Sequence, residues 1–195
     1  MTSLNILNNQ SDATLIFKEA YENRYSWPPE FNGYNGSVIY QHSDKLVQGF
    51  FRINKDLKHE VIGINDNEIQ QSIESQLMEL SIHRIRRTFE KTHGQNTFSI
   101  GEENSFGIEI LVGGKSKGDS YYVKDKIITR VNRNIHDSLI KIKTDSVLDT
   151  NQGYLSETYS SEFFDPTTKT PKAPKSYFKD SFVQLDHSKV WVLSK

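Results

Sequence analysis

His83, Arg84, Arg86 and Arg87 crowd three guanidinium groups and an imidazole into a short run that is otherwise core-forming, Leu80-Ser81-Ile82 before it and Thr88-Phe89 after it. Planar guanidinium forks donate paired hydrogen bonds to carboxylate or phosphate, so the spacing suits an anionic ligand head or an acidic partner. Two other readings fit the same residues. One is a solvated helix end whose cations complement the macrodipole while their stems cover the core. The other is structural ion pairing with a strand carboxylate such as Glu109 or Glu157. Arg130, Arg133 and His136, on a strand and its following turn, would join such a site, but alternation puts Arg130 and Arg133 on opposite faces of a regular strand. Glu22, Arg24, Tyr25 and Trp27 close the first helix, and read either as packing of that end onto a sheet or as the rim of a pocket. The candidate ligand- or partner-binding set is His83, Arg84, Arg87, Arg130, Tyr25 and Trp27.

Other chemistries lack their residues. The chain has no cysteine, which removes disulfides, thiolate metal sites and cysteine nucleophiles. Its six histidines show neither an i, i+4 pair nor H-E-x-x-H, and no metal or other cofactor is expected. No serine sits in a G-x-S-x-G elbow, so no nucleophilic triad can be assembled. Gly113-Gly114-Lys115-Ser116-Lys117-Gly118-Asp119 superficially resembles a phosphate loop, but without the order of strand, G-x-x-x-x-G-K-[ST] and helix it reads as a hairpin turn. With 24 Lys and Arg against 25 Asp and Glu, no global field favours nucleic acid, and an anion site must be local.

The elements that must position these residues can be read from periodicity. Residues 1–10 carry no cap and no pattern and are expected to be a loose or disordered arm, without the basic and apolar regions of a secretory signal. Residues 11–195 are expected to form a single domain, since no linker composition divides them. Ser11 or Asp12 caps a helix to about Arg24, with Ala13, Ile16, Phe17, Ala20 and Tyr21 as its apolar stripe, and Trp27-Pro28-Pro29 ends it. Three strand-like runs follow between Val38 and Ile62. A long helix is expected from about Asp66 to His93, capped by Asn65 or Asp66 and stopped by Gly94. Ile69, Ile73, Leu77 and Leu80 share one of its faces, Met78, Ile82, Ile85 and Phe89 nearly the opposite one. Eight further strand runs and short connections imply mostly antiparallel neighbours. The expected fold is α+β: a large curved antiparallel sheet of about ten strands, a half-barrel or a barrel, with an N-terminal helix and one long inserted helix. No apolar run is long enough to span a membrane.

Two resemblances bear on this reading. The order of elements resembles that of LolA-type lipoprotein carriers, in which an N-terminal helix precedes a curved antiparallel half-barrel; this is a likeness of architecture alone. The segments Ala20-Tyr21-Glu22-Asn23-Arg24-Tyr25-Ser26-Trp27, Phe31-Asn32-Gly33-Tyr34, His83 to Glu90, Thr92-His93-Gly94, Ile110 to Lys115, Gly118-Asp119 and Gly153-Tyr154-Leu155 together resemble an uncharacterised family of cyanobacteria and plastids, domain of unknown function 3386. That resemblance covers nearly the whole chain from about Asp12. It implies an oxygenic phototroph as source and a cytoplasmic setting or a peripheral one at the thylakoid surface, and it brings no established activity or catalytic residue.

The function these observations favour is that of a non-enzymatic binding module. It would hold an apolar or amphipathic ligand, a lipid, isoprenoid or pigment, or dock a photosynthetic partner protein. Its 22 aromatic residues suit a cavity lined by rings, though most of them will be core. The rival is an enzyme acting on an anionic isoprenoid, tetrapyrrole or phosphate compound, with His83 as general acid and the arginines as charge clamps.

Overall fold

The computed structural model describes the backbone from Thr2 to Lys195 and the side chains from Asn9 onward. In chain order the elements are α1 (Thr2–Glu22), β1 (Gly33–His42), β2 (Lys45–Asn54), β3 (His59–Ile62), α2 (Asn67–Arg84), α3 (Phe89–His93), β4 (Asn96–Asn104), β5 (Gly107–Gly114) and β6 (Ser120–Lys124). They continue as β7 (Ile127–Ile135), β8 (Ser138–Thr150), β9 (Gly153–Phe164), β10 (Ser176–Lys179), β11 (Phe182–Gln184) and β12 (Trp191–Leu193). None of the described helices is long and apolar enough to cross a membrane.

The chain groups into two compact units. The first takes residues up to Tyr25, Arg87–Val183 and Val192–Lys195; the second takes Ser26–Arg86 and Gln184–Trp191. In the first, seven strands pair antiparallel in the order β10-β9-β8-β7-β6-β5-β4. The sheet is open, so the half-barrel side of the expectation stands and the closed barrel does not. Register shifts leave an extra residue in β4, at Thr129 of β7, at Asp145 of β8 and at Glu157 of β9, and such bulges bend and twist a sheet without closing it. α1 lies on one face of this sheet. Ala13, Phe17, Ala20 and Tyr21 are buried against Phe98, Ile110, Val112, Tyr121, Val123 and Ile128, with α3 contributing Phe89. These are the helix residues that the 3.6-residue period selects.

α1 begins at Thr2, nine or ten residues ahead of the expected cap at Ser11 or Asp12. Neither residue interrupts it. The arm expected over residues 1–10 falls mainly on side chains outside those described; within α1, Asn9 Oδ1 accepts from the Ile100 N–H at 2.8 Å.

The second unit pairs β1-β2-β3, so the meander makes its own three-stranded sheet rather than part of the large one. It has its own cover. Ile69, Ile73, Leu77 and Ser81 are the buried stripe of α2, α2 packs on β3, and Ile53 and Val61 are the buried hydrophobic side chains of β2 and β3. Asp66 caps α2 as expected, its Oδ1 accepting from Glu68 and Ile69 N–H at 3.1 and 3.2 Å. Ser81 Oγ donates to Leu77 O and meets His59 Nε2 at 3.0 Å, so the last place of the buried stripe is polar and satisfied.

The single long helix is corrected. α2 ends at Arg84, Ile85 is extended at φ −66° and ψ 124°, and Thr88 caps the separate α3 by accepting from Lys91 N–H. The second apolar stripe is the cause. Met78 and Ile82 are exposed, while Phe89 is buried in the core of the other unit, so the stripe never had one partner along its length. Gly94 ends α3 as expected, donating to Glu90 O. Leu77 is 8% exposed and Ile82 40%, so the two helix faces can be told apart by mutation. Leu77→Asp should cost about 3 kcal/mol or more by burying an unpaired charge, and Ile82→Asp about 0.5 kcal/mol or less, measured as urea unfolding midpoints. Equal midpoints for the two variants would remove the assigned core face of α2.

Candidate functional site

The six residues singled out in the sequence are divided between the units. Trp27 and Arg84 come together in the second: Trp27 N–H donates to Arg84 O at 2.8 Å, and Trp27 Nε1–H to Trp191 O at 3.0 Å. Burial pushes the Tyr34 hydroxyl up to about 12, opposed by the Arg84 charge, and the Tyr34 ring stands 6.1 Å from that of Trp27. His83, in the same unit, is exposed and lies 3.6 Å from Glu79 Oε2, four residues back on the helix. Tyr25, Arg87 and Arg130 belong to the first unit. Tyr25 is fully buried and Arg87 exposed. Arg130 stacks over Phe106 at 4.9 Å and Tyr122 at 5.8 Å. The turn between β5 and β6 holds Lys115, Ser116 and Lys117, which makes Gly113–Asp119 the expected hairpin turn.

A different set of polar groups meets at the margin of the first unit's core. Its placement starts from Gly153, whose positive φ of 118° leaves no room for a Cβ: one would stand 2.5 Å from Asn23 O. The segment after α1 therefore lies directly against β9. Tyr154 N–H donates to Asn23 O and Tyr25 N–H to Tyr154 O, both at 2.9 Å. Arg24 is held between these bonds. Its Nε donates to Tyr21 O at 3.1 Å and its guanidinium stacks over the Tyr21 ring at 4.0 Å. It is half-buried, and among the described residues no carboxylate pairs with it.

Asp119 is placed by the turn before β6, where Gly118 adopts φ 96°. The carboxylate is 5% exposed and filled: Oδ2 accepts from Arg133 Nε at 3.2 Å and Oδ1 from Asn134 N–H at 2.9 Å. Arg133 thus lies on the face that α1 covers, and Arg130, paired with Tyr122, on the other, as strand alternation requires.

His93, at the end of α3, sits among the rings of Phe17, Tyr21 and Phe89 at 5.0, 5.0 and 5.3 Å. Its tautomer is fixed. Asn96 Oδ1 accepts from Ser116 N–H, which turns the Asn96 amide nitrogen toward His93 Nδ1 at 3.3 Å. Nδ1 is therefore the acceptor, and Nε2 carries the proton of the neutral ring. Burial lowers this imidazole to about 4, aided by the charges of Arg24 and Arg133 and opposed by Asp119. Burial raises the Tyr121 hydroxyl, and the same two arginines and Asp119 act on it. Both guanidinium groups are thus within electrostatic reach of both rings. Asn132 Oδ1 is the one side-chain polar atom, among the described residues, sealed from solvent without a partner. Neither His93 Nε2 nor Tyr121 Oη has a hydrogen-bond partner among the described residues.

The corner offers two guanidinium groups, one imidazole N–H and one phenol against a single carboxylate already filled by Arg133 and Asn134. Such a donor excess matches an anion. Beyond Arg133 the same face of the sheet continues as apolar surface. Ile140 pairs with Arg133 and with Phe163, Ile142 pairs with Val131, and the rings of Tyr159 and Phe178 stack at 4.7 Å. α1 packs on β4, β6 and β7, and Phe163 and Phe178 remain 36% and 40% exposed.

Sequence reasoning had Arg24 and Arg133 in view but not His93, Tyr121 or Asp119. The signal was present in Thr92-His93-Gly94 and Gly118-Asp119, two short motifs with a turn glycine beside a titratable residue.

The model of the family described as "Protein of unknown function (DUF3386)" matches residues 8–195, and the chain belongs to that family. No curated protein and no solved structure matches the chain.

The neutral His93 gives a pH signature. The unfolded imidazole protonates at its ordinary value of 6.5 and the folded one at about 4, so the unfolded state binds the extra proton between these limits. Stability from this residue is full above pH 6.5 and is lost as pH falls toward 4, by about 2 kcal/mol after allowance for solvent screening. Urea midpoints measured across this window should slope in the wild type and flatten in His93→Phe. An unchanged slope in the variant would assign the titration elsewhere.

Proposed function

We propose that this member of the family is a non-enzymatic binding module for an amphipathic ligand with an anionic head. The head is held by Arg24 and Arg133 with His93 Nε2–H and Tyr121 Oη–H, and the apolar part lies along Ile140, Ile142 and Phe163. The observation that carries the proposal is Arg24, a half-buried guanidinium with no carboxylate partner among the described residues, whose charge acts on His93 together with that of Arg133. Half-buried cations without a counter-charge are costly, and an anionic group would supply it. In an oxygenic phototroph, the source implied by the sequence resemblance, acidic lipids, isoprenoid phosphates and carboxylate-bearing pigments belong to this ligand class.

Two features favour binding over catalysis. A general acid or base works best with a pKa near the working pH, whereas His93 is lowered to about 4 and the Tyr121 hydroxyl is raised. Asp119 is fully engaged by its two donors. The space between α1 and the sheet is packed with Phe17, Tyr21, Phe89 and Phe98, which directs an apolar chain to the part of the face beyond α1.

Calorimetric titration with palmitate, and with acetate as the head alone, tests the proposal. Arg24→Gln should weaken palmitate binding by more than about tenfold, while the unfolding free energy in urea falls by about 1 kcal/mol or less, because the Tyr21 contacts are lost but no ion pair is broken. Ile140→Ser should weaken palmitate and leave acetate unchanged. Palmitate binding that survives both substitutions, or an absence of binding to the wild type, would contradict the reading. Arg133→Gln is expected to destabilise as well, since it strips the buried Asp119 of its cation.

A further inference from the structure

We propose that two copies of this chain associate through the free edge of β1, pairing antiparallel across a two-fold axis so that their three-stranded sheets join into one. The inference concerns the second unit and is independent of the anion corner. β1 and β2 pair without interruption from Gly33↔Asn54 to His42↔Lys45. β1 is the edge of its sheet, and beyond β2 its backbone has no hydrogen-bond partner among the described residues. Edge strands are commonly guarded by brevity, proline, charge or a bulge. β1 has ten residues, GYNGSVIYQH, with no proline, no acidic residue, no Lys or Arg and a regular register.

The absence of charge selects the occupant. A two-fold axis sets residues of one copy beside the same residues of the other, so any charge on a self-pairing strand meets its like. β1 carries none to repel itself, and a second copy supplies a strand of equal length and pattern. The outer face adds an apolar contribution. Ile39 is 64% exposed on β1, in a patch with Leu46, Phe50 and Ile62, of which Phe50 and Ile62 pair directly. A dyad near the middle of β1 brings the two Ile39 side chains together as cross-strand neighbours.

Sedimentation of the full chain over a concentration series, with hydrogen exchange of the β1 amides, tests the proposal. The wild type should reach twice the chain mass, and β1 amides should exchange more slowly as concentration rises. Ile39→Lys places like charges across the axis and should raise the dimer dissociation constant by more than about tenfold with an unchanged melting temperature. Phe50→Lys lies one strand inward and should dimerise like the wild type. A wild type that stays monomeric with concentration-independent exchange would overturn the proposal. So would loss of association in Phe50→Lys as large as in Ile39→Lys, which would indicate contact through the face rather than the edge. Should Ile39→Lys fail to fold, the wild-type exchange series still separates a dimer paired through β1 from a monomer.

Discussion

Phe17 is the contact on which the first unit depends. Fully buried, it brings its ring within 4.4 Å of Tyr121, 5.0 Å of His93, 5.2 Å of Phe98 and 5.8 Å of Phe89, so one helical residue joins α1, α3, β4 and β6. Aromatic packing of this kind leaves little volume for anything else under the helix. It also determines the electrostatics of the corner. His93 is surrounded by rings that cannot stabilise an imidazolium as water does, so it stays neutral and its Nε2–H remains a donor at neutral pH. The charged members of the site, Arg24, Arg133 and Asp119, are accordingly arranged at the edge of this apolar mass.

Arg24 depends on a backbone device. Only glycine tolerates the conformation of Gly153 together with an approach that would put a Cβ on Asn23 O, and that approach lets Asn23 and Tyr25 bond to Tyr154. The helix end is thereby tied to β9, and the side chain between the two bonds is fixed in direction. A guanidinium held by Tyr21 O and by the Tyr21 ring loses little further freedom on meeting an anion, which favours affinity through preorganisation.

Much of the fold was legible because it rests on local periodicity. The strand runs, the stripe of Ala13, Phe17, Ala20 and Tyr21, the Asp66 cap and the Gly94 stop are all local signals, and each corresponds to an observed feature except the single run over Tyr177 to Leu185, which divides into β10 and β11 in different sheets. The expectation of one helix from Asp66 to His93 failed where the signal was not local. Met78, Ile82, Ile85 and Phe89 have helical spacing, but no sequence period can report that Phe89 is buried in one unit while Met78 and Ile82 are exposed on the other. Thr88, an N-cap residue inside the supposed helix, was the available clue. The corner was harder to read for the same reason. Arg24, His93, Asp119 and Arg133 come from four elements or turns far apart in sequence, and their relation arises only from the pairing of β6 with β7 and the docking of α1.

The central claim is that the corner and the adjoining apolar face bind one amphipathic anion. Its most direct test is an NMR titration of isotopically labelled protein with palmitate, following the Arg24 and Arg133 guanidinium signals, the His93 ring and the methyl groups of Ile140 and Ile142. The account expects saturable shifts of all these signals with one common affinity. Shifts confined to Ile39, Leu46 and Ile62 in the other unit, or methyl shifts at Ile140 and Ile142 with the two guanidinium groups unmoved, would contradict it.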